Sequence, residues 1–358
     1  MGVSTINKIT SISPSQVQIL KDCALRLVFQ KSLKDTCYFP TSPSSLLGSI
    51  IHKILELSNK REVDASTFEE QWEATFVQAE KDYFKNPYNK QFANLKYWLP
   101  FYSVKKEITR LRIAKLPATK LNNQVFHTGK HNSYSQAEES INYQFLTGVP
   151  DLIEYKKGKV YITDYKTGPI YTCKNGKIKG IKREYEEQLK TYGLIIKKRE
   201  GIKAENIILS LENVSSGEIE KRTFKEDEYE GHFADLKSRI EVVNRHVDTG
   251  THQALGNPGT PACKNCQFRP ICSKYAVWLK TSLENSIDLY MEYADLLQQS
   301  GGYCLKTREG SAVMNIPNSV INQVKDCLNE GFFIYNLSQS KNDPKHYYWT
   351  RYSALYKA

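Results

Sequence analysis

Apolar residues recur at helical spacing in the first third of the chain and at alternate positions in its middle. Ser13-Pro14 supplies an N-cap and a proline at the first helical position. Val17, Leu20, Ala24, Leu27 and Val28 follow at helical spacing, so a helix is expected over about 14–31, with Cys23 inside it. A second helix begins near Pro43 and carries Leu47, Ile50, Ile51 and Ile54 as its buried stripe. On it Gly48 lies one turn from His52 and leaves room beside the imidazole. Helical patterns follow at about 66–84 and 91–116, and residues 117–137 lack periodicity and read as a long loop. Strands are expected over 139–147, 149–156 and 159–166, the last two joined as a hairpin by Lys156-Lys157-Gly158-Lys159.

A basic, glycine-containing excursion over 174–182 precedes a helix over 184–198 and a buried strand over 206–212. Ser215-Ser216-Gly217 turns into a short edge strand, and 226–247 reads as an amphipathic helix. A further helix is expected from Cys272 to about Gln299, then a linker at Ser300-Gly301-Gly302 and short mixed elements over 303–358. Within that tail, His346 to Tyr356 interleaves aromatics with basic residues. The pattern fits a half-buried strand whose rings form a small core, and also a stacking platform for single-stranded nucleic acid. Helices, then antiparallel strands, then a helix and another strand predict an α/β protein with a mixed sheet. No internal repeat or low-complexity segment interrupts the order.

A chain of 358 residues can bury a sizeable core, and its formal net charge of +11 points to a polyanionic partner, nucleic acid first. Region 91–130 holds eight Lys or Arg and one acid, Glu107, as a track for a phosphate backbone or a solvated basic face would. Met1 to Thr10 is polar, and no segment is apolar for long enough to span a bilayer, so the expected location is the cytoplasm, without membrane association. Thiols stay reduced there, so the eight cysteines read as ligands or small buried residues before disulfides.

The candidate chemistry lies in Gly148-Val149-Pro150-Asp151 and Thr163-Asp164-Tyr165-Lys166-Thr167-Gly168. A hairpin brings the two arms side by side, and Asp164 and Lys166, two positions apart, share one face of a pleated strand. Hard oxygen ligands beside a cationic donor suit a magnesium-type site acting on phosphate, although an isolated Asp-Tyr-Lys is most often a surface ion pair. Gln188 and Tyr192 lie four positions apart and share a helix face. Cys263, Cys266 and Cys272 are spaced so that one loop can wrap a soft metal, with a fourth thiolate supplied from elsewhere.

Taken in order, these pieces resemble the RecB-like branch of the PD-(D/E)XK nuclease superfamily, which includes CRISPR-adaptation nucleases and whose members often carry an iron–sulfur cluster. The resemblance runs over roughly 11–275: Ser13-Pro14-Ser15 with Cys23, Gly48-Ser49-Ile50-Ile51-His52, the two acid motifs, Gln188-Leu189-Lys190-Thr191-Tyr192, and the three clustered cysteines. It implies a restriction-endonuclease-like core, a mixed central sheet flanked by helices, between an N-terminal helical region and a small C-terminal α+β extension. The implied division is 1–135 (helical region with Cys23 and His52), 136–275 (nuclease core and cysteine group) and 276–358 (helix plus extension).

It implies a Mg2+- or Mn2+-dependent phosphodiesterase acting on single-stranded or end-containing DNA. Asp151, Asp164, His52 and the Tyr165 carbonyl would hold the metal, and Lys166 would orient or help deprotonate water. Gln188 and Tyr192 would position the strand or the water. Cys23 would join Cys263, Cys266 and Cys272 around a [4Fe-4S] cluster, with zinc as the alternative metal and Cys37 as the rival fourth ligand. No Walker A sequence is present, so a helicase, or a defence or adaptation complex, would act as a separate partner. A competing reading is a nuclease-fold DNA-binding or scaffold subunit.

Overall fold

The computed structural model describes residues 5–34, 36–115, 134–174, 176–281, 287–299, 302–307, 310–328 and 330–358. The nine strands of its central part are β1 (Tyr134–Ala137), β2 (Ile141–Tyr143), β3 (Leu146–Gly148), β4 (Leu152–Lys156), β5 (Lys159–Lys166), β6 (Tyr171–Lys174), β7 (Lys177–Ile181), β8 (Ile207–Asn213) and β9 (Ile219–Arg222). Lys157 and Gly158 take left-handed backbone (φ 51 and 75), the conformation that a two-residue hairpin turn requires, and β4 and β5 close on it with Lys156 opposite Lys159. The main sheet runs β1-β4-β5-β8-β9, with β5 and β8 parallel and the other pairs antiparallel, so it is mixed. A parallel pair needs a long crossover, and α6 (below) provides it. The chain is a mixed α/β protein with helices against a mixed sheet, the architecture expected of the PD-(D/E)XK fold.

The helices up to residue 281 are α1 (Val17–Asp22), α2 (Ala24–Ser32), α3 (Pro43–Asn59), α4 (Phe68–Tyr83), α5 (Tyr102–Ala114), α6 (Arg183–Glu200), α7 (Glu226–Asp248), the short α8 (Pro261–Lys264) and α9 (Ser273–Thr281), the last packed with the C-terminal strands. Alternation along β5 and β8 sends Val160, Ile162, Leu209 and Leu211 into one core with Leu189 and Ile196 of α6, Val17 of α1 and Leu236 of α7. Tyr165 has the opposite parity and is buried instead among Leu47, Ile51 and Ile54 of α3 and Trp72 of α4. Neighbouring residues of β5 therefore face different helical layers, and Asp164 and Lys166 lie on the α6 side. Ile12 docks on the β2–β3 hairpin through its amide to the Phe145 carbonyl (2.8 Å) and its carbonyl to the Thr147 amide (3.0 Å).

Four local expectations are corrected. The helix over 14–31 is interrupted at Cys23, whose extended backbone (φ −157, ψ 95) separates α1 from α2. The helix over 91–116 exists only from Tyr102; Pro87 and Pro100 break the earlier part into two 3-10 turns, Pro87–Phe92 and Leu95–Trp98. The strand over 139–147 is the β2–β3 hairpin turning at Gln144 (φ 51), and β1 occupies the end of the expected loop, whose residues 117–133 lie outside the described residues. The helix expected to reach Gln299 does not reach it: α9 is described to Thr281, residues 282–286 lie outside the described residues, and 289–291 and 294–299 are strands β10 (Leu289–Met291) and β11 (Ala294–Gln299). Pairing of β10 with the distant β14, and of β11 with β12 in a hairpin, overrides the helical propensity of that segment.

The C-terminal strands continue as β12 (Gly302–Thr307), β13 (Ala312–Ile316), β14 (Phe332–Tyr335), β15 (Ser338–Gln339), β16 (His346–Tyr348) and β17 (Ala354–Lys357), with α10 (Ile321–Lys325) between them. They form two sheets, β10-β14-β17 and β11-β12-β13-β16-β15. Gly302, expected in a linker, pairs with Gln299 in the β11–β12 hairpin, and the other two linker positions, 300 and 301, lie outside the described residues. Tyr347 and Leu355 are in the small core while Tyr348 and Tyr352 are exposed, so the tail is a half-buried strand pattern. Arg269 and the fully buried Asp288 fasten this region to the cysteine loop at 2.6 Å, and Asp288 also accepts from the Tyr275 hydroxyl (2.7 Å) and the Asn336 amide (2.8 Å). Among the described residues no helix is long and apolar enough to cross a membrane.

Candidate active site

The register Leu152–Thr163 places Asp151, one residue before β4, opposite Asp164 on β5. Both carboxylates are buried, with relative exposures of 7% and 4%. Asp151 Oδ2 accepts the Tyr165 amide at 2.5 Å and Asp151 Oδ1 meets His52 Nδ1 at 3.0 Å, so helix α3 and the hairpin share this carboxylate. On the other side Gln188 of α6 bridges the rest of the group: its Nε2 donates to Asp164 Oδ1 (3.0 Å) and its Oε1 accepts from Lys166 Nζ (2.8 Å). Lys166 Nζ also lies 2.6 Å from Asp164 Oδ2, although that oxygen accepts no aligned hydrogen bond. The lysine ammonium rests over the Tyr185 ring, 4.5 Å from its centroid.

The fields at these groups follow from burial and from one another. Desolvation pushes the Asp164 carboxyl above its usual range and Asp151 adds to the rise, while Lys166 opposes it. Burial disfavours the charged form of His52, but the hydrogen bond and charge of Asp151 outweigh it and hold the imidazole above its ordinary value. Tyr192, buried on α6 one turn after Gln188, is raised by desolvation. Its hydroxyl donates to the Val149 carbonyl at 3.0 Å, so Tyr192 clamps the turn that carries Asp151. A Cβ on Gly148 would lie 2.9 Å from the Tyr192 ring and 3.0 Å from Pro14, which is why the Ser-Pro-Ser segment, the Gly148 turn and α6 can meet here. A Cβ on Gly48 would lie 3.0 Å from Thr167 Oγ1: this glycine admits the chain leaving β5, one turn from His52.

His52 opens onto a cleft of about 490 Å³ lined also by Ser45, Glu56, Glu138 and Thr167. Glu138 was not legible as a site residue. Burial, then the charge and hydrogen bond of Asp151, raise its carboxyl to about 7. Its backbone is left-handed (φ 52) directly after β1, whose last residue, Ala137, pairs with Leu152. The available signal was weak, two consecutive acids at the end of a segment without periodicity.

Six of the expected residues therefore gather from four separated segments: His52, Asp151, Asp164, Lys166, Gln188 and Tyr192. Their donor chemistry fits a hard divalent cation, two carboxylates and an imidazole with one buried carboxylate oxygen left without an aligned donor. Among the described residues, however, no three His, Cys, Asp or Glu side chains, the clustered cysteines included, are gathered tightly enough to hold a metal ion as they stand; at this site His52 engages Asp151 and Gln188 engages Asp164.

The second cluster forms around the break at Cys23. Cys23, Cys263, Cys266 and Cys272 line one small apolar cavity with Phe29 and Phe268, and Cys37 is not among its lining residues. Burial pushes the thiols of Cys263 and Cys266 up, and that of Cys272 to about 11. Such thiols stay protonated unless a cation at their centre offsets the desolvation.

The family model of the PD-(D/E)XK nuclease superfamily matches residues 11–273. The chain belongs to that superfamily. No curated protein matches it. Members are in general phosphodiesterase nucleases that act on DNA and typically use Mg2+ or Mn2+.

Proposed function

We propose that this protein is a RecB-like, metal-dependent nuclease that hydrolyses phosphodiester bonds in single-stranded DNA or at DNA ends. The observation that carries the proposal is the Asp151–Asp164–Lys166–Gln188 constellation at one end of the sheet, with His52 reaching it from α3. In it Asp151, Asp164, His52 and the Tyr165 carbonyl would hold Mg2+ or Mn2+. The cation, when bound, supplies Lewis acidity that acidifies water and offsets charge developing on the phosphate. Lys166, held by Gln188 and Asp164, would orient or help deprotonate the attacking water. Gln188 fixes the Asp164–Lys166 spacing, and Tyr192 fixes the Asp151 turn through the Val149 carbonyl.

A [4Fe-4S] cluster on Cys23, Cys263, Cys266 and Cys272 is part of the same proposal; the thiols that share one cavity support it, and zinc would use the same four ligands. The cluster would staple α1 and α2 to the end of the matched region. As working regions we take 1–135, 136–275 and 276–358. The first two share the core in which Val17 and Leu20 pack against Leu189 and Leu209. Location in the cytoplasm, and action beside a helicase or a defence or adaptation complex, belong to the proposal as well.

The test is Mn2+-dependent digestion of end-labelled linear and circular single- and double-stranded DNA under anaerobic conditions. Asp164→Asn and Lys166→Met should each abolish cleavage with DNA binding retained. Undiminished cleavage in either variant overturns the site assignment, and wild-type protein that binds all four DNAs and cleaves none supports the scaffold reading instead.

A further inference from the structure

The C-terminal tail returns to the helical region at one place. Arg351 lies over the Trp98 ring at 4.3 Å from its centroid and donates to the Gln91 carbonyl at 3.2 Å. Tyr352 packs at a tilt against Phe92, 5.3 Å between ring centroids, and Phe92 is itself buried and packed edge-on against Trp98 at 5.7 Å. Beside this junction, Tyr97 and Phe101 project into solvent with 88% and 76% of their surface exposed, far more than rings of that size retain in a core. Phe101 holds a left-handed backbone (φ 57, ψ 33) at the start of α5, a conformation that a bulky side chain rarely adopts. Two segments more than two hundred positions apart thus meet in a junction of rings and a cation, and Tyr97 and Phe101 are exposed on the same short stretch of chain as Trp98.

We infer that this surface, Tyr97, Trp98 and Phe101 with Arg351 and Tyr352, is a stacking site for single-stranded DNA. The inference rests on the nuclease reading for its substrate and adds where the strand is held away from the acids. Charge complementarity selects the occupant: residues 84–106 contain five lysines and no acid, and Lys90 and Arg351 are exposed beside the rings. Three of these lysines are paired, Lys85 with Asp82, Lys96 with Glu73, and Lys106 with Glu69 and Glu73, so the charge on offer comes mainly from Lys90, Lys105 and Arg351 and the rings contribute what the lysines alone do not. Bases in a single strand offer free π-faces to such rings, whereas a duplex keeps its base faces stacked inside. Aromatic and arginine side chains also anchor protein interfaces, and Val104 is exposed nearby in the sequence, so self-association is among the outcomes the experiment reads.

The experiment uses the full chain with Tyr97→Ala/Phe101→Ala, whose exposed rings can be removed without opening a core. Binding is followed by fluorescence anisotropy in EDTA, with a labelled oligothymidylate of about 20 nucleotides and a duplex of equal length. The double variant should bind the single strand about 10- to 100-fold more weakly, with an unchanged slope of affinity against salt and little change on the duplex. Wild-type protein that does not bind the oligothymidylate, unchanged single-strand affinity in the variant, or an equal loss on the duplex each overturns the stacking site. A wild-type dimer that dissolves in the variant while DNA affinity is unchanged overturns it in favour of self-association. Asp164→Asn separates the two proposals: it should bind the oligothymidylate as wild type does. If wild type cleaves no DNA but the double variant still loses binding, only the nuclease reading falls.

Discussion

Gly148→Ala is the substitution that tests how the motifs meet. The added Cβ would stand 2.9 Å from the Tyr192 ring and 3.0 Å from two atoms of Pro14, inside the 3.4–4 Å of ordinary contact. Neither neighbour is a flexible chain end, because Pro14 is a closed ring and Tyr192 is tied to the Val149 carbonyl at 3.0 Å. Overpacking of this kind costs about 1–3 kcal/mol, and a Tyr192 displaced enough to lose its hydrogen bond adds about 0.5–1.5 kcal/mol. The expected destabilisation is therefore about 2–4 kcal/mol, with a Tm lowered on the order of 3–5 °C for a chain of this size. Cleavage should fall as well, since Asp151 stands three residues along the same turn. Urea and thermal unfolding measure the first effect, and Mn2+-dependent digestion the second. Tyr192→Leu in the same chain removes half of the clash, so the double variant should be more stable than the sum of the two single effects by about 1 kcal/mol or more. Unchanged stability in Gly148→Ala, or strict additivity in the double variant, would refute the proposed contact.

Glu138→Gln should weaken Mn2+ binding measured calorimetrically while leaving Tm near wild type, since it removes one acid from the cleft wall; unaltered affinity would remove Glu138 from the site. His232 is buried beside Thr191 and Glu187, and desolvation lowers its pKa to about 4. The folded state thus binds fewer protons than the unfolded one between about pH 4 and 6.5, and stability should fall by about 3 kcal/mol as pH drops through that window. His232→Gln should flatten that slope, and an unchanged pH dependence counts against the assignment. Arg269→Ala leaves Asp288 charged and fully buried, which should cost about 3–5 kcal/mol and open residues 287–358 to protease; a variant as resistant as wild type would contradict this. On the proposed iron–sulfur cluster, anaerobically purified wild type should be brown and Cys23→Ser should lose iron and colour; retention of both would move the fourth ligand elsewhere.

What the sequence determined by itself was local. The hairpin of Asp164 and Lys166 is legible because strict alternation and a Lys-Gly turn permit one register, and α3 because its apolar stripe repeats at helical spacing. The ordered motifs likewise carried the family, since each needs only a few neighbouring residues. The tertiary structure decided which groups share a proton, a wall or a cavity. His52 meets Asp151 across 99 positions, Gln188 bridges Asp164 and Lys166, and Arg351 lies over Trp98. Such partners leave no periodic trace, because they depend on how faces pack and not on the spacing within either face. The break at Cys23, the strands after Thr281 and the placement of Glu138 escaped for the same reason: in each, contacts from distant segments outweigh the preference of the local chain.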